Sequence, residues 1–354
     1  ALAIAMGGPG AIFWMWVSAL LGVTTKYFTC TLAVMFRGRD SQGELQGGPM
    51  YVIVEGLGRN WRPLAVFFSL LGMIGVLPMF QVNQLTQVVR DVVLIPNQVE
   101  AGFVSNLISG LLVAILVGVV IFGGIRRIGK VTGRMVPIMV ALYVLLVLYI
   151  VFSSPQNILP SFELIFRDAF TANSVLGGSL GALIITGVRR AAFSNEAGIG
   201  TAPMAHGAAK TNEPVREGLV AMLGPVVDTI IVCTMTALAL IMTGVWNAGE
   251  SDGITMTADA FEVAMPGLGA YLLTICVAVF SISTLLSFPY YGTKCFSFIF
   301  GARHSYVYKW FYLITIPFGA TATLGTVVGI FDGAYSLMAF PTMISALLLS
   351  PHVV

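Results

Sequence analysis

The chain has 354 residues, 57% of them hydrophobic and 10% charged, with a formal net charge of +2 and a mean hydropathy of +0.91. Soluble domains carry about 25% charged residues, so this composition excludes an ordinary soluble domain and points to an all-α polytopic membrane protein. The charge balance includes no basic block, and no nucleic-acid partner is expected.

A short apolar piece at 1–6 runs into Gly7-Gly8-Pro9-Gly10. The chain starts at Ala1 rather than Met and lacks the pattern of a signal peptide. It is expected to be a piece of a longer protein, cut inside a helix. Spanning candidates follow at about 11–36, 64–89, 102–123, 135–152, 175–192, 218–245, 268–291, 307–330 and 333–350. Each is near or above the roughly 20 residues that cross a bilayer. The segment at 195–209 is too polar and too brief to span alone and reads as the second half of the 175–192 span. The expectation is nine full crossings plus a partial first one. In the loop at 246–267, Ala258 to Ala264 is expected to form a short surface helix.

Charge sets the orientation. Arg37, Arg39, Arg59 and Arg62 lie in one loop; Arg126, Arg127, Lys130 and Arg134 in another; Lys210 and Arg216 in a third; Lys294 and Arg303 in a fourth. These alternate loops are expected on the cytoplasmic side. The opposite loops hold Arg90 and Arg167 near their ends and otherwise acids, Glu100, Glu163, Asp168, Glu250, Asp252 and Glu262 among them. The alternation works only if 175–209 crosses once.

That crossing contains Arg189-Arg190-Ala191-Ala192-Phe193-Ser194-Asn195-Glu196-Ala197-Gly198-Ile199-Gly200. Unpaired backbone is costly in lipid, so an interruption here implies a protein-lined cavity. Secondary transporters place broken helices at mid-membrane, where helix ends and unwound carbonyls face substrate and cation. Ser194 or Asn195 is expected to cap the following half-helix, with Glu196 in its first turn. The plainer alternatives are that Glu196 pairs with Arg189 or Arg190, or that the motif is a kink. A second broken helix would match at the segment ending in Gly7-Gly8-Pro9-Gly10, its unwound part upstream of Ala1.

The runs GGPGAIFWMW (7–16), TTKYFTCTLA (24–33), GGPMY (47–51), FSNEAGIGTAPMAHGAAKT (193–211) and DTIIVCT (228–234) resemble the alanine or glycine:cation symporter family, of the sodium:alanine symporter type. The likeness covers nearly the whole chain. It implies a leucine-transporter-like inverted-repeat bundle of five plus five helices, in one transporter domain over 1–354. The first repeat is about 1–153, incomplete, and the second about 175–350. It implies import of alanine, glycine or similar small neutral amino acids coupled to Na+, or to H+, across a bacterial or archaeal plasma membrane. No other cofactor is expected, and a monomer is. The Gly-Thr-Gly-Asn stretch usual in the family before the first match is absent. Thr29, Phe288, Thr293, Tyr335-Ser336 and Pro341-Thr342 also depart from its pattern, which bears on substrate size and coupling ion.

Gln81, Asn83, Gln84 and Gln87 sit in one apolar span. Amides can bind a zwitterion without a fixed charge, or simply bond between helices. By resemblance, Gln81 and Asn83 lie near the substrate, with Phe193, Ser194 and Asn195. Ser283 and Thr284 align with a Ser-Thr pair where this fold places Na+; Thr284, Leu285 and Phe288 would border the substrate. Lys26 and Asp228 are intramembrane charges, with function as the default reading. They form a structural pair or, with Arg190 and Glu196, line an ion path. His206 reads as exposed or as a proton sensor. The four cysteines and three histidines show no metal-ligand spacing. An intramembrane enzyme using Ser194, Glu196 and His206 lacks a nucleophile motif and a third partner, so no enzyme is expected. A transport-inactive sensor or truncated relative is the remaining class.

Overall fold

The computed structural model describes residues 1–123, 125–171, 180–248 and 253–353. The first residues of the 175–192 span, together with Glu250 and Asp252, lie outside them. The described chain is mostly helical. Helix α1 (Leu2–Gly7) ends at Gly8, whose φ of 72° suits glycine. Helix α2 (Gly10–Met35) follows directly after Pro9. A hairpin pairs β1 (Gly38–Arg39) antiparallel with β2 (Leu45–Gln46), and the one-turn α3 (Pro49–Val52) runs on into a π-helical stretch over Ile53–Leu57.

The span expected at 64–89 is two helices, α4 (Arg62–Gly75) and α5 (Met79–Val89). Pro78 explains the break, because it has no N–H for the ladder and turns the residue before it away from helix. Hydropathy is continuous across the break and hides it. Next come α6 (Phe103–Ile121), α7 (Ile125–Ser153) and the short α8 (Ile158–Asp168). The central pair is α9 (Leu180–Asn195) and α10 (Thr201–His206). Beyond them α11 (Pro214–Pro225) and α12 (Thr234–Thr243) flank a π-helical stretch over Val226–Cys233. Pro225 again removes one ladder bond at the junction.

The expected surface helix is α13 (Gly253–Ala264), and it is not superficial. Met256, Ala258, Ala260 and Phe261 are buried, because its apolar face packs on α5, α12 and the long α14 (Gly269–Phe300). The boundary expected near 331 also moves. Helix α15 (Ser305–Thr321) ends and α16 (Leu324–Leu349) begins around extended Ala322 and Thr323. The Thr323 hydroxyl accepts from Thr326 N at 3.3 Å and caps α16.

Among the described residues, seven segments are long and apolar enough to cross a membrane. The other two expected crossings, α9 and α15, have 16 and 17 described residues. One face of α6 exposes Phe103, Val104, Ile108, Leu112, Ile115 and Val119, a surface suited to lipid rather than water. The chain is a multi-pass membrane protein.

Two bodies emerge from the packing. In one, α2 lies against α1, α9, α10 and α11. In the other, α14 lies against α4, α5, α7 and α15, and α16 packs on α4. Fewer contacts join α9 and α10 to α14 and α16, so the interruption sits at a seam between the bodies.

Candidate functional site

The seam is built around the break between α9 and α10. Glu196 has φ 56°, Gly198 81° and Gly200 111°. A left-handed non-glycine residue costs about 1–2 kcal/mol, and Glu196 is held there by its surroundings. Its carboxylate accepts from Thr201 Oγ1 at 2.5 Å. Glu196 therefore precedes α10 rather than lying in its first turn. Neither Ser194 nor Asn195 caps α10; Gly200 stands at that position. Asn195 caps the turn instead, its Oδ1 accepting from Ala197 N at 3.0 Å while its Nδ2 donates to Thr229 Oγ1 at 3.1 Å. Across the seam, the Thr342 hydroxyl of α16 lies 3.1 Å from the Ile199 carbonyl released by the interruption and 3.0 Å from the Met338 carbonyl of its own helix, its one proton shared between them.

Ser194 donates to Asp228 and lies 3.3 Å from Cys233 Sγ. Both partners belong to the π-helical stretch after Pro225, so the register shift brings Asp228 and Thr229 to the break. Lys26 is 9% exposed. Its Nζ lies against Gly224, 2.8 Å from where a Cβ there would sit, and within electrostatic reach of Glu196 and Asp228. The ion pairs among the described residues do not include Lys26. A direct Lys26–Asp228 pair is not formed among the described residues; Asp228 Oδ2 instead accepts from Ser194 and Thr229.

Arg190 does not pair with Glu196 either. Its Nη2 binds both carboxylate oxygens of Asp332 on α16, a residue the sequence reading passed over although it is an acid inside an apolar run. The guanidinium carbon lies 5.5 Å from the Phe193 ring centroid. That ring packs against Phe80 at 4.8 Å, Tyr335 at 5.7 Å and Phe331 at 6.1 Å. Phe80, Phe331 and Tyr335 were also missed as a group; they come from two helices far apart in sequence, and only folding assembles them.

The amides of α5 divide. Asn83 donates to the carbonyls of Gly319 and Ala322 at 3.1 and 2.8 Å, closing the end of α15. Gln84 donates to Gln87 at 2.9 Å and accepts from Ile254 N at 3.1 Å. Gln87 in turn donates to Thr255 Oγ1 at 3.1 Å, so these three bond between helices, the plainer of the two readings. Gln81 differs: it is 9% exposed, and its Oε1 is buried with no partner among the described residues.

On α14, Ser283 and Thr284 both donate to the carbonyl of Phe280, at 2.8 and 3.0 Å. Their oxygen lone pairs remain available to a cation. Leu285 and Phe288 lie in an apolar cluster with Val76, Val82, Tyr312 and Ile316; Met73 and Tyr291 pack against both this cluster and the one around Phe193, and the Phe288 ring centroid is 6.1 Å from that of Tyr291. The structure thus brings Phe193, Ser194 and Asn195 together with Arg190, Glu196 and Asp228, and joins Phe288 to the Phe193 cluster through Tyr291.

Two cations beside α10 need correcting. Lys294 is not in a loop but inside α14, 7% exposed. Its ammonium donates to the Met204 carbonyl of α10 at 3.0 Å and lies 4.7 Å from the Tyr290 ring centroid. His206 is paired, not simply exposed, its Nδ1 lying 2.6 Å from Glu217 Oε1. Arg37 closes the same end by donating to the carbonyls of Gly207, Ala209 and Thr211 at 2.6–2.7 Å.

Comparison with known proteins places this arrangement. The family model described as the sodium:alanine symporter family matches residues 1–354. An uncharacterized transporter of Haemophilus influenzae is 41% identical, over 98% of this chain and 75% of its own length. The sodium/alanine symporter AgcS of Methanococcus maripaludis is 40% identical, over 100% of this chain and 78% of its own. The protein named "putative sodium/proton-dependent alanine carrier protein YrbD" of Bacillus subtilis is 31% identical, over 99% of this chain and 74% of its own. The family and these relatives are transporters rather than enzymes, and on a match over its whole length the chain belongs to the sodium:alanine symporter family.

Proposed function

We propose that the protein imports alanine, glycine and similar small neutral amino acids across a plasma membrane, coupled to Na+, by alternating access. The observation that carries this is the interrupted helix at the seam, Asn195 to Thr201, where backbone groups leave the helical ladder between two packed bodies. A gradient-driven carrier needs such a place, because substrate and ion must meet polar backbone inside the membrane and be exposed to each side in turn.

In this reading Phe193 covers the substrate, Ser194 and Asn195 lie at its polar end, and Gln81 offers its unpartnered amide oxygen to the substrate ammonium. Asn83 supports the site by fixing the end of α15. Ser283 and Thr284 supply hydroxyl oxygens to Na+, a hard monovalent cation. Leu285 and Phe288 shape the α14 side of the bundle behind them. Asp228 and Glu196 hold the broken helix and keep negative potential along the ion path, with Lys26 balancing it. The five-plus-five inverted repeat and a monomeric carrier belong to the same proposal. The name of the Bacillus relative favours H+ as the alternative coupling ion.

The test is uptake of labelled alanine and glycine into proteoliposomes holding the complete gene product. An inward Na+ gradient, an inward H+ gradient and no gradient are compared. Uptake with the Na+ gradient alone supports the reading. Uptake with H+ alone replaces the ion, and no uptake of either amino acid removes the assignment.

A further inference from the structure

A cleft of about 410 Å³ opens between Arg37, Leu45 of β2 and the connection at 207–212. That volume lies in the range of small-ligand sites. No carboxylate lines it, and two of its eight lining residues are the cations Arg37 and Lys210. The transport reading above gives the cleft no role.

Its donors are those left over once the local bonds are made. Arg37 donates once each from Nε, Nη1 and Nη2 to carbonyls of the connection. A guanidinium has five N–H groups, so one remains on each Nη. The backbone N–H groups of Gly207, Ala208, Ala209 and Thr211 are bonded within or beside the connection, whereas those of Lys210 and Asn212 have no acceptor among the described residues. Lys210 is exposed and belongs to none of the ion pairs among the described residues. Glu213, the acid that follows, lies 3.5 Å from Arg216 instead. Two guanidinium N–H groups, one ammonium and two backbone N–H groups therefore line one cleft. Such a set of donors matches the oxygens of a phosphate group.

The place of the cleft says where the phosphate comes from. The apolar spans on either side of it are Gly10–Met35 and Pro214–Thr243. Arg37 lies just beyond the first and Lys210 just before the second. The cleft thus sits where hydrocarbon gives way to water, the level of phospholipid head groups. The exposed Leu45 adds an apolar wall of the kind a lipid meets and a free ion does not need.

We propose that this cleft is a seat for the phosphate group of an anionic phospholipid from the adjoining leaflet. Arg37 also holds the connection that follows α10, so an occupied seat tightens that connection and stabilises the folded protein. The proposal does not depend on which solute or ion is carried.

The test is the thermal midpoint of the complete gene product in detergent, titrated with dihexanoyl phosphatidylglycerol, with dihexanoyl phosphatidylcholine and with inorganic phosphate. Phosphatidylglycerol should raise the midpoint with saturation, and phosphatidylcholine should not. Lys210→Gln should raise the half-saturating phosphatidylglycerol concentration about two- to fivefold, the loss expected for one exposed ion pair. Arg303→Gln removes an exposed cation outside the cleft and should leave that concentration unchanged. A rise with inorganic phosphate at similar concentrations would replace the lipid by a free anion as the occupant. No rise with any probe, an equal rise with phosphatidylcholine, or equal losses in the two variants would remove the seat.

Discussion

Gly200 offers a sharp test of the interrupted helix, because two separate costs meet there. Its φ is 111°, a conformation that strains any residue with a Cβ, at about 1–3 kcal/mol. A Cβ would also lie 2.5 Å from Phe68 Cε2 and 2.7 Å from Thr342 Oγ1. Phe68 is fully buried and cannot swing away, and Thr342 is the hydroxyl that reaches Ile199. Overpacking of this kind costs roughly a further 1–3 kcal/mol. Gly200→Ala should therefore lose about 2–6 kcal/mol, or roughly 4–12 °C of thermal midpoint at about 2 °C per kcal/mol. Gly329 in α16 is the control: a Cβ there meets nothing within 4 Å, and Gly329→Ala should be neutral or slightly stabilising. The assay is thermal unfolding of detergent-purified protein followed by size-exclusion chromatography. Equal midpoints for the two variants would refute the strained, tightly packed break.

Other outcomes follow from named contacts. Thr342→Val removes the hydroxyl that reaches Ile199 and should cost about 1–3 kcal/mol of stability in the same assay. Lys294→Met frees the Met204 carbonyl and should lower the midpoint by a similar loss, about 1–3 kcal/mol, whereas Lys210→Met at the exposed connection should not. Thr284→Val, which deletes a proposed Na+ ligand, should raise the half-saturating Na+ concentration severalfold; an unchanged Na+ dependence would remove Thr284 from the ion site.

The features legible in the sequence were those carried by a continuous local signal. Membrane spans show as long apolar runs, and the break shows as Asn195-Glu196-Ala197-Gly198 between such runs. The internal breaks at Pro78 and Ala322–Thr323 were hidden because hydropathy does not drop across them. A single missing N–H or one capping hydroxyl decides them. Loop charge counting misplaced Lys294, because a lysine near the end of an apolar run looks the same whether it faces water or a carbonyl of α10. The pairing of Arg190 was misread for a different reason. Sequence neighbours suggested Glu196, while the true partner, Asp332, lies 142 residues away. Asp332 could have been flagged by the same reasoning as Asp228, an acid within an apolar span. The ring cluster around Phe193 had no local signature at all, since α5, α9 and α16 meet only in three dimensions.

The central claim is that amino-acid and sodium movements are obligatorily linked. The most direct measurement is influx of radioactive sodium into proteoliposomes of the complete gene product, driven by an inward alanine gradient with no sodium gradient. The account predicts alanine-dependent sodium influx that disappears when alanine is replaced by a non-substrate solute. Alanine entry without any accompanying sodium would contradict it.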